Sequence, residues 1–232
     1  MKRLRFPNDN TLILLNKGGS SFWGWIIKFY SDWKGIPIRV NEVGKGKKIL
    51  IVRNPYQRFL SGFLHQSEEI PKGDEVLMNE FQRYMERCWS GEIESEIEGS
   101  VDYHLWRAGK ILEREGITPT KVLKIEEIEE EMENWGKWGL GAREPQWGEV
   151  SPPHIKTDNP NPITELELPY EGWDGHFLKG LWLQSKENVR WHHRDSDRER
   201  LELLLESHPK IKSDVNKWVG EEMLLWGYKR MI

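Results

Sequence analysis

Arg53 closes an apolar run, "KILIV" (48–52), and an Asn-Pro turn then leads into "YQRFLSGF", which carries Arg58 and Ser61. A guanidinium at the end of a buried strand is costly unless it meets an anion or a partner. In parallel sheets, ligands gather outside the carboxyl ends of strands, which is where Arg53 falls. Ser61 follows about two helical turns later and adds a hydroxyl donor. No acid occurs from Val43 to Ser67, whereas Lys45, Lys47, Lys48, Arg53 and Arg58 all do. In a chain of formal net charge -4, that local excess marks an anion site or an electrostatic funnel. For Lys45, Lys47 and Lys48 a solvated basic face is the simpler account.

A second stretch, "NKGGSSF" (16–22), follows the apolar "TLILL". Glycines let the backbone curl so that its N–H groups point inward at a helix start, where an anion is favoured. Lys17 adds a point charge, and Ser20 and Ser21 add hydroxyl donors. The G-x-x-x-x-G-K-[ST] spacing of a Walker A loop is absent, which disfavours a nucleotide kinase. A glycine-bearing strand-to-helix turn with no ligand is the competing explanation for this stretch alone.

These residues need elements to hold them. "TLILLN" (11–16), "IPIRV" (36–40), "KILIVRN" (48–54) and "TKVLKI" (120–125) read as strands. "SFWGWIIKFYSDW", "PYQRFLSGFLHQ", residues 74–89, 100–115, 196–206 and 213–225 read as helices, the second opening on a proline at its first turn. "EEIEEEMENWGKW" also reads as a helix, its acids massed at the start to suit the dipole. The alternating acids of "GEIESEIEG" (91–99) suggest a solvated loop or strand edge. Residues 139–195 are rich in Trp, Gly and Pro and are expected to be irregular. Strands alternating with helices predict a three-layer α/β/α fold with a central, mainly parallel sheet, in a single domain over 1–232.

Composition bounds the rest. With 232 residues, 31% charged and 37% hydrophobic, one sizeable α/β domain is expected. The net charge argues against a nucleic-acid partner. The only cysteine, Cys88, excludes an internal disulfide. The N-terminal apolar run is too short for a signal or a span, so a soluble, cytoplasmic protein without stable membrane insertion is expected. No metal is expected, because the adjacent histidines of "WHHRD" (191–195) diverge in a strand or a helix. The 13 tryptophans suit packing, or stacking on sugar rings.

Taken together, the two stretches resemble the motifs of sulfotransferases, in particular the carbohydrate-type branch. "NKGGSSF" is similar to the 5′-phosphosulfate loop of that family, with Asn16 where proline is usual and Ser21 where threonine is usual. "VRNPYQRFLSGF" resembles the 3′-phosphate motif, with Asn54 where aspartate is usual. "DYHLWRAGKIL" (102–112), "KVLKIEEIEEEM" and "DVNKWVGEEMLLWGY" echo further family segments in order. The resemblance implies a P-loop-like sulfotransferase fold. It also implies 3′-phosphoadenosine-5′-phosphosulfate (PAPS) as the sulfate donor, with the bisphosphate PAP as product. Lys17, Gly18, Gly19, Ser20, Ser21 and Phe22 would hold the 5′ side, and Arg53 and Ser61 the 3′-phosphate. The acceptor would be a hydroxyl or amine, on a glycan for this branch. Lys17 would stabilise charge on the bridging oxygen. Family members take the acceptor proton with a histidine or glutamate, for which Glu42, His104 and His65 are the candidates here. A relative that binds PAPS or PAP without turnover is the alternative.

Overall fold

The computed structural model describes residues 1–6, 8–16, 38–66, 69–94, 106–128 and 195–229. They form β1 (Lys2–Arg5), β2 (Thr11–Leu14), β3 (Arg39–Val40), β4 (Lys48–Val52), α1 (Pro55–Gln66), α2 (Asp74–Trp89) and α3 (Ala108–Arg114). After these come β5 (Lys121–Lys124), a 3-10 turn (Ile125–Glu127), α4 (Asp195–Glu206) and α5 (Pro209–Leu225). The helix expected over "SFWGWIIKFYSDW", most of "EEIEEEMENWGKW" and the Trp/Gly/Pro-rich stretch lie outside the described residues. The chain divides into two compact units, each assembled from separate segments. One comprises Met1–Leu14, Gly19–Ile51 and Pro119–His193, and the other Leu15–Gly18, Val52–Thr118 and Arg194–Ile232.

The first unit holds the sheet, in the order β3-β1-β2-β4-β5. β2 and β4 pair in parallel, with Thr11 opposite Lys48 and Leu14 opposite Ile51. All of β2 is buried, as is β4 from Ile49 onward. Near-continuous apolar runs of this kind belong to strands covered on both faces. β1 pairs antiparallel with both β2 and β3. The sheet is therefore mixed, which corrects the expectation of a mainly parallel one. Patterning does not flag β1, because its only apolar side chain, Leu4, sits among cations. A tight turn sets the pairing: the Phe6 amide donates to the Asn10 carbonyl at 2.8 Å, and Asp9 takes a φ of 67°. Aspartate tolerates that left-handed conformation better than most residues. β3 is short and exposed, as suits a sheet edge.

The cation-rich run before β4 has a structural job. The Gly44 amide donates to Thr11 Oγ1 at 2.7 Å, the Lys45 amide to Asp9 Oδ2 at 3.0 Å, and the Lys47 amide to Asn10 Oδ1 at 2.8 Å. A Cβ on Gly44 would strike the Asp9 carbonyl, so only glycine permits this approach. The side chains of Lys45 and Lys47 are exposed, the solvated face that the sequence suggests.

The second unit is a helical core. Tyr56, Phe59, Leu60, Phe63 and Leu64 of α1 repeat at helical spacing and are buried. They meet Leu77, Met78, Phe81, Tyr84, Met85 and Cys88 of α2, with Leu201 and Leu205 of α4 and Val215, Val219 and Met223 of α5. Phe63 and Phe81 stand edge to face at 4.9 Å and 83°, a geometry the ring quadrupoles favour. Arg200 staples α4 to the start of α2, donating to Asp74 Oδ1 at 2.6 Å and to the Pro71 and Lys72 carbonyls at 2.7 and 2.8 Å. Burial pushes the Cys88 thiol up to about 12, so it packs as a small apolar group rather than acting as a nucleophile.

Candidate active site

Leaving β4, the chain passes through Arg53 to Asn54, whose Oδ1 accepts the amides of Tyr56 at 3.0 Å and Gln57 at 3.3 Å. Asn54 is the N-cap of α1, and Pro55 occupies the first helical position, where its missing N–H is no loss. Asparagine and aspartate cap helices about equally well. The departure from the aspartate usual in sulfotransferase-like motifs therefore falls where the observed role tolerates it. Arg53, just ahead of the cap, and Ser61, further along α1, are both half-buried.

Arg58 is different. Its side chain is 5% exposed, and its Nε donates to the carbonyl oxygen of Asn16 at 3.1 Å. Burial pulls this guanidinium below its ordinary value, opposed first by the Glu222 carboxylate, and it stays cationic at neutral pH. Asn16 directly precedes Lys17. The α1 motif thus grips the residue before Lys17 through a main-chain oxygen. Any residue supplies that oxygen, so asparagine in place of the usual proline leaves the contact intact. Lys17, Gly18, Gly19, Ser20, Ser21 and Phe22 themselves lie outside the described residues, as does His104.

Glu42 lies where the sequence does not lead one to look. After β3, Asn41 takes a φ of 63° and the chain doubles back. Glu42 Oε2 accepts from Arg5 Nη1 at 3.0 Å and lies 3.5 Å from Arg39 Nη1. Arg5 is the register partner of Thr11, the first residue of β2. Glu42 therefore stands at the amino-terminal edge of β2, not at the carboxyl end that following "IPIRV" suggests. His65 is exposed in the last turn of α1.

Sequence reasoning misses a set of buried charges. Glu222 of α5 is 5% exposed, and its Oε1 accepts the Gly109 amide at 2.8 Å. Burial raises its carboxyl above the ordinary value, against the pull of Arg58, the Gly109 amide and Arg107. Arg107, the N-cap residue of α3, forks onto Glu94 with Nε–Oε1 at 2.8 Å and Nη2–Oε2 at 2.7 Å. It also stacks over Trp218 at 4.3 Å from the ring centre. Glu94 is thus tied into the helical unit, at the end of the turns at 91–94 whose Gly91 and Glu92 are exposed as a solvated loop would have them; residues 95–99 lie outside the described residues. A signal for Glu222 exists: it sits within an apolar stripe, Val215, Trp218, Val219 and Met223, at helical spacing.

Among the described residues, no group of three or more His, Cys, Asp or Glu is placed to hold a metal ion, and no helix is long and apolar enough to cross a membrane. Neither curated proteins nor solved structures give a significant match. A family model described as "Sulfotransferase family" matches residues 28–157, a stretch that contains Arg53, Arg58, Ser61 and the Arg107–Glu94 pair and covers more than half of the chain. With that match laid over a mixed α/β fold and the Arg53–Ser61 motif at the exit of β4, the chain belongs to the sulfotransferase family.

Proposed function

We propose that the protein transfers a sulfuryl group from PAPS to a hydroxyl or amine of a carbohydrate. Arg53 and Ser61 bind the 3′-phosphate, and the Lys17–Phe22 turn binds the 5′-phosphosulfate. The observation that carries this reading is the hydrogen bond from Arg58 to Asn16. It joins the motif bearing Arg53 and Ser61 to the residue from which the Lys17 turn starts. Two anion-binding stretches anchored to one another suit a ligand with phosphates at both ends.

In the reaction, the acceptor oxygen or nitrogen attacks sulfur in line. The bond from sulfur to the 5′-phosphate oxygen breaks, and PAP leaves with the bonding electrons. Phosphoryl transfer is the closest physical template, with catalysis resting on position and charge. Lys17 stabilises the negative charge that grows on the leaving oxygen. A base takes the acceptor proton. We assign that role to His104 over Glu42, whose carboxylate is engaged by Arg5 at the amino-terminal edge of β2. His104 precedes the anchored residues Arg107 and Gly109.

Incubation with ³⁵S-labelled PAPS and a panel of glycans, read by mass spectrometry, tests the reading. Sulfated glycan and released PAP are expected from the wild type. Tight PAP binding with no transfer to any acceptor would favour a non-catalytic binding module instead.

A further inference from the structure

Between the start of α1 and one face of α5 lies a cavity of about 540 Å³, inside the range of about 300–1,000 Å³ that small-molecule sites occupy. Along α5 it is lined by Ser213, Asn216, Gly220 and Met223, whose spacing of three and four residues puts them on one helical face. Tyr56 lines it from α1. Two of these residues set the cavity apart from a packing fault. Gly220 stands inside α5, where glycine is a poor helix former, and it is buried. A Cβ there would touch none of the described residues, so close packing does not call for glycine. Its missing side chain leaves room in the cavity instead. Tyr56 is 4% exposed, and its hydroxyl makes no hydrogen bond among the described residues. Buried hydroxyls normally have a partner, and a ligand in this cavity would supply one. Burial, with the nearby Glu202 and Glu206 carboxylates, raises the Tyr56 hydroxyl to about 12. It is therefore neutral at physiological pH and can both donate and accept.

The charges around the cavity narrow what fits. Lys212 and Lys217 line it, but Lys212 Nζ already meets both Glu206 oxygens at 2.8 Å, and Lys217 Nζ lies 3.7 Å from Asp214 Oδ1. Glu221 adds an exposed carboxylate to the lining. With its cations answered, the cavity has no surplus positive charge to draw a phosphate or a sulfate. It offers hydroxyl and amide groups that donate and accept, on Tyr56, Ser213 and Asn216, beside the buried apolar side chains of Val219 and Met223. A sugar ring presents the matching combination of hydroxyl edges and C–H faces. We propose that this cavity is a binding subsite for a neutral sugar residue. Its use as an anchor for an acceptor chain rests on the transfer reading, but the binding of sugar does not.

Amide NMR of the full chain tests this. Neutral disaccharides built from glucose, galactose, mannose or N-acetylglucosamine are titrated without PAPS, and inorganic sulfate is titrated separately. At least one disaccharide should shift amides across residues 212–223 and at Tyr56. Gly220→Leu, which fills the cavity, should weaken that binding more than tenfold without lowering the thermal midpoint. Tyr56→Phe should weaken it roughly two- to tenfold, the scale of one neutral hydrogen bond. Should Gly220→Leu fail to fold, Ser213→Leu at an exposed lining position carries the same test. No shift with any disaccharide, unchanged affinity in the cavity variants, or a stronger response of these amides to sulfate would overturn the proposal. Sugar binding by a protein that transfers no sulfate would leave the subsite standing and bring down the transfer reading.

Discussion

Arg58 Nε donates to the Asn16 carbonyl at 3.1 Å, with the guanidinium almost wholly buried. The contact ties two stretches that stand far apart in the chain, and it does so at the residue immediately before Lys17. Replacing Arg58 by methionine would keep most of the volume while leaving the Asn16 carbonyl without this donor. Losing a hydrogen bond made by a charged group typically costs about 1.5–3 kcal/mol. Chemical denaturation should show a loss of that order for Arg58→Met.

Asn54 makes a contrasting prediction. As a helix cap it should be replaceable by aspartate with little change in the denaturation midpoint or in PAP affinity. Asn54→Ala, which leaves the Tyr56 and Gln57 amides without their acceptor, should cost about 1 kcal/mol of stability. A large loss of PAP affinity in Asn54→Asp would show that the residue does more than cap.

How much of this was legible beforehand follows from the physics of each element. β2, β4, α1 and α2 announce themselves, because their apolar residues repeat over enough positions for burial to dictate the pattern. β1 does not, since "KRLR" buries only Leu4 and owes its place to the Asp9 turn and to pairing with β2. Arg53 and Ser61 stand out by position, at a strand exit and along the next helix. Arg58 is visible as a charge, but its buried grip on Asn16 is a tertiary fact. Glu222 and the Glu94–Arg107 pair are harder still, because each is defined by partners remote in sequence. The placing of Glu42 beside Arg5 is likewise set by tertiary contacts, after a left-handed Asn41 that follows β3.

Acid should weaken the sheet's first hairpin in a defined direction. The Lys45 amide, and then the Arg5 guanidinium, hold the Asp9 carboxyl below its ordinary value of 3.8. The folded state thus favours the ionised form. That contribution is present above the unfolded value and is lost as pH falls through the lower, folded one. Thermal melts of the wild type should therefore decline as pH drops below about 4, and Asp9→Asn should flatten that decline. An identical acid slope in the two proteins would show that Asp9 is not its source.

Lys17 separates binding from chemistry. On the proposed reading, main-chain amides and serine hydroxyls of residues 18–21 would share the ground-state phosphosulfate, so the ammonium would matter most as charge grows on the leaving oxygen. Interactions that strengthen only in the transition state raise turnover rather than affinity. Lys17→Ala should cut turnover by roughly 10²–10³-fold, the scale of losing one preorganised donor, with a much smaller change in PAP affinity. Lys17→Arg should restore little, since a planar fork does not replace a compact point charge.

The central claim is that Arg53 reads a 3′-phosphate, and calorimetry on wild type and Arg53→Ala tests it most directly. Each protein is titrated with PAP and with adenosine 5′-monophosphate, which lacks that phosphate. Loss of a charge-assisted contact should weaken PAP by about 1.5–3 kcal/mol and leave adenosine 5′-monophosphate unchanged. Equal losses for the two nucleotides, or no preference for PAP in the wild type, would contradict the account.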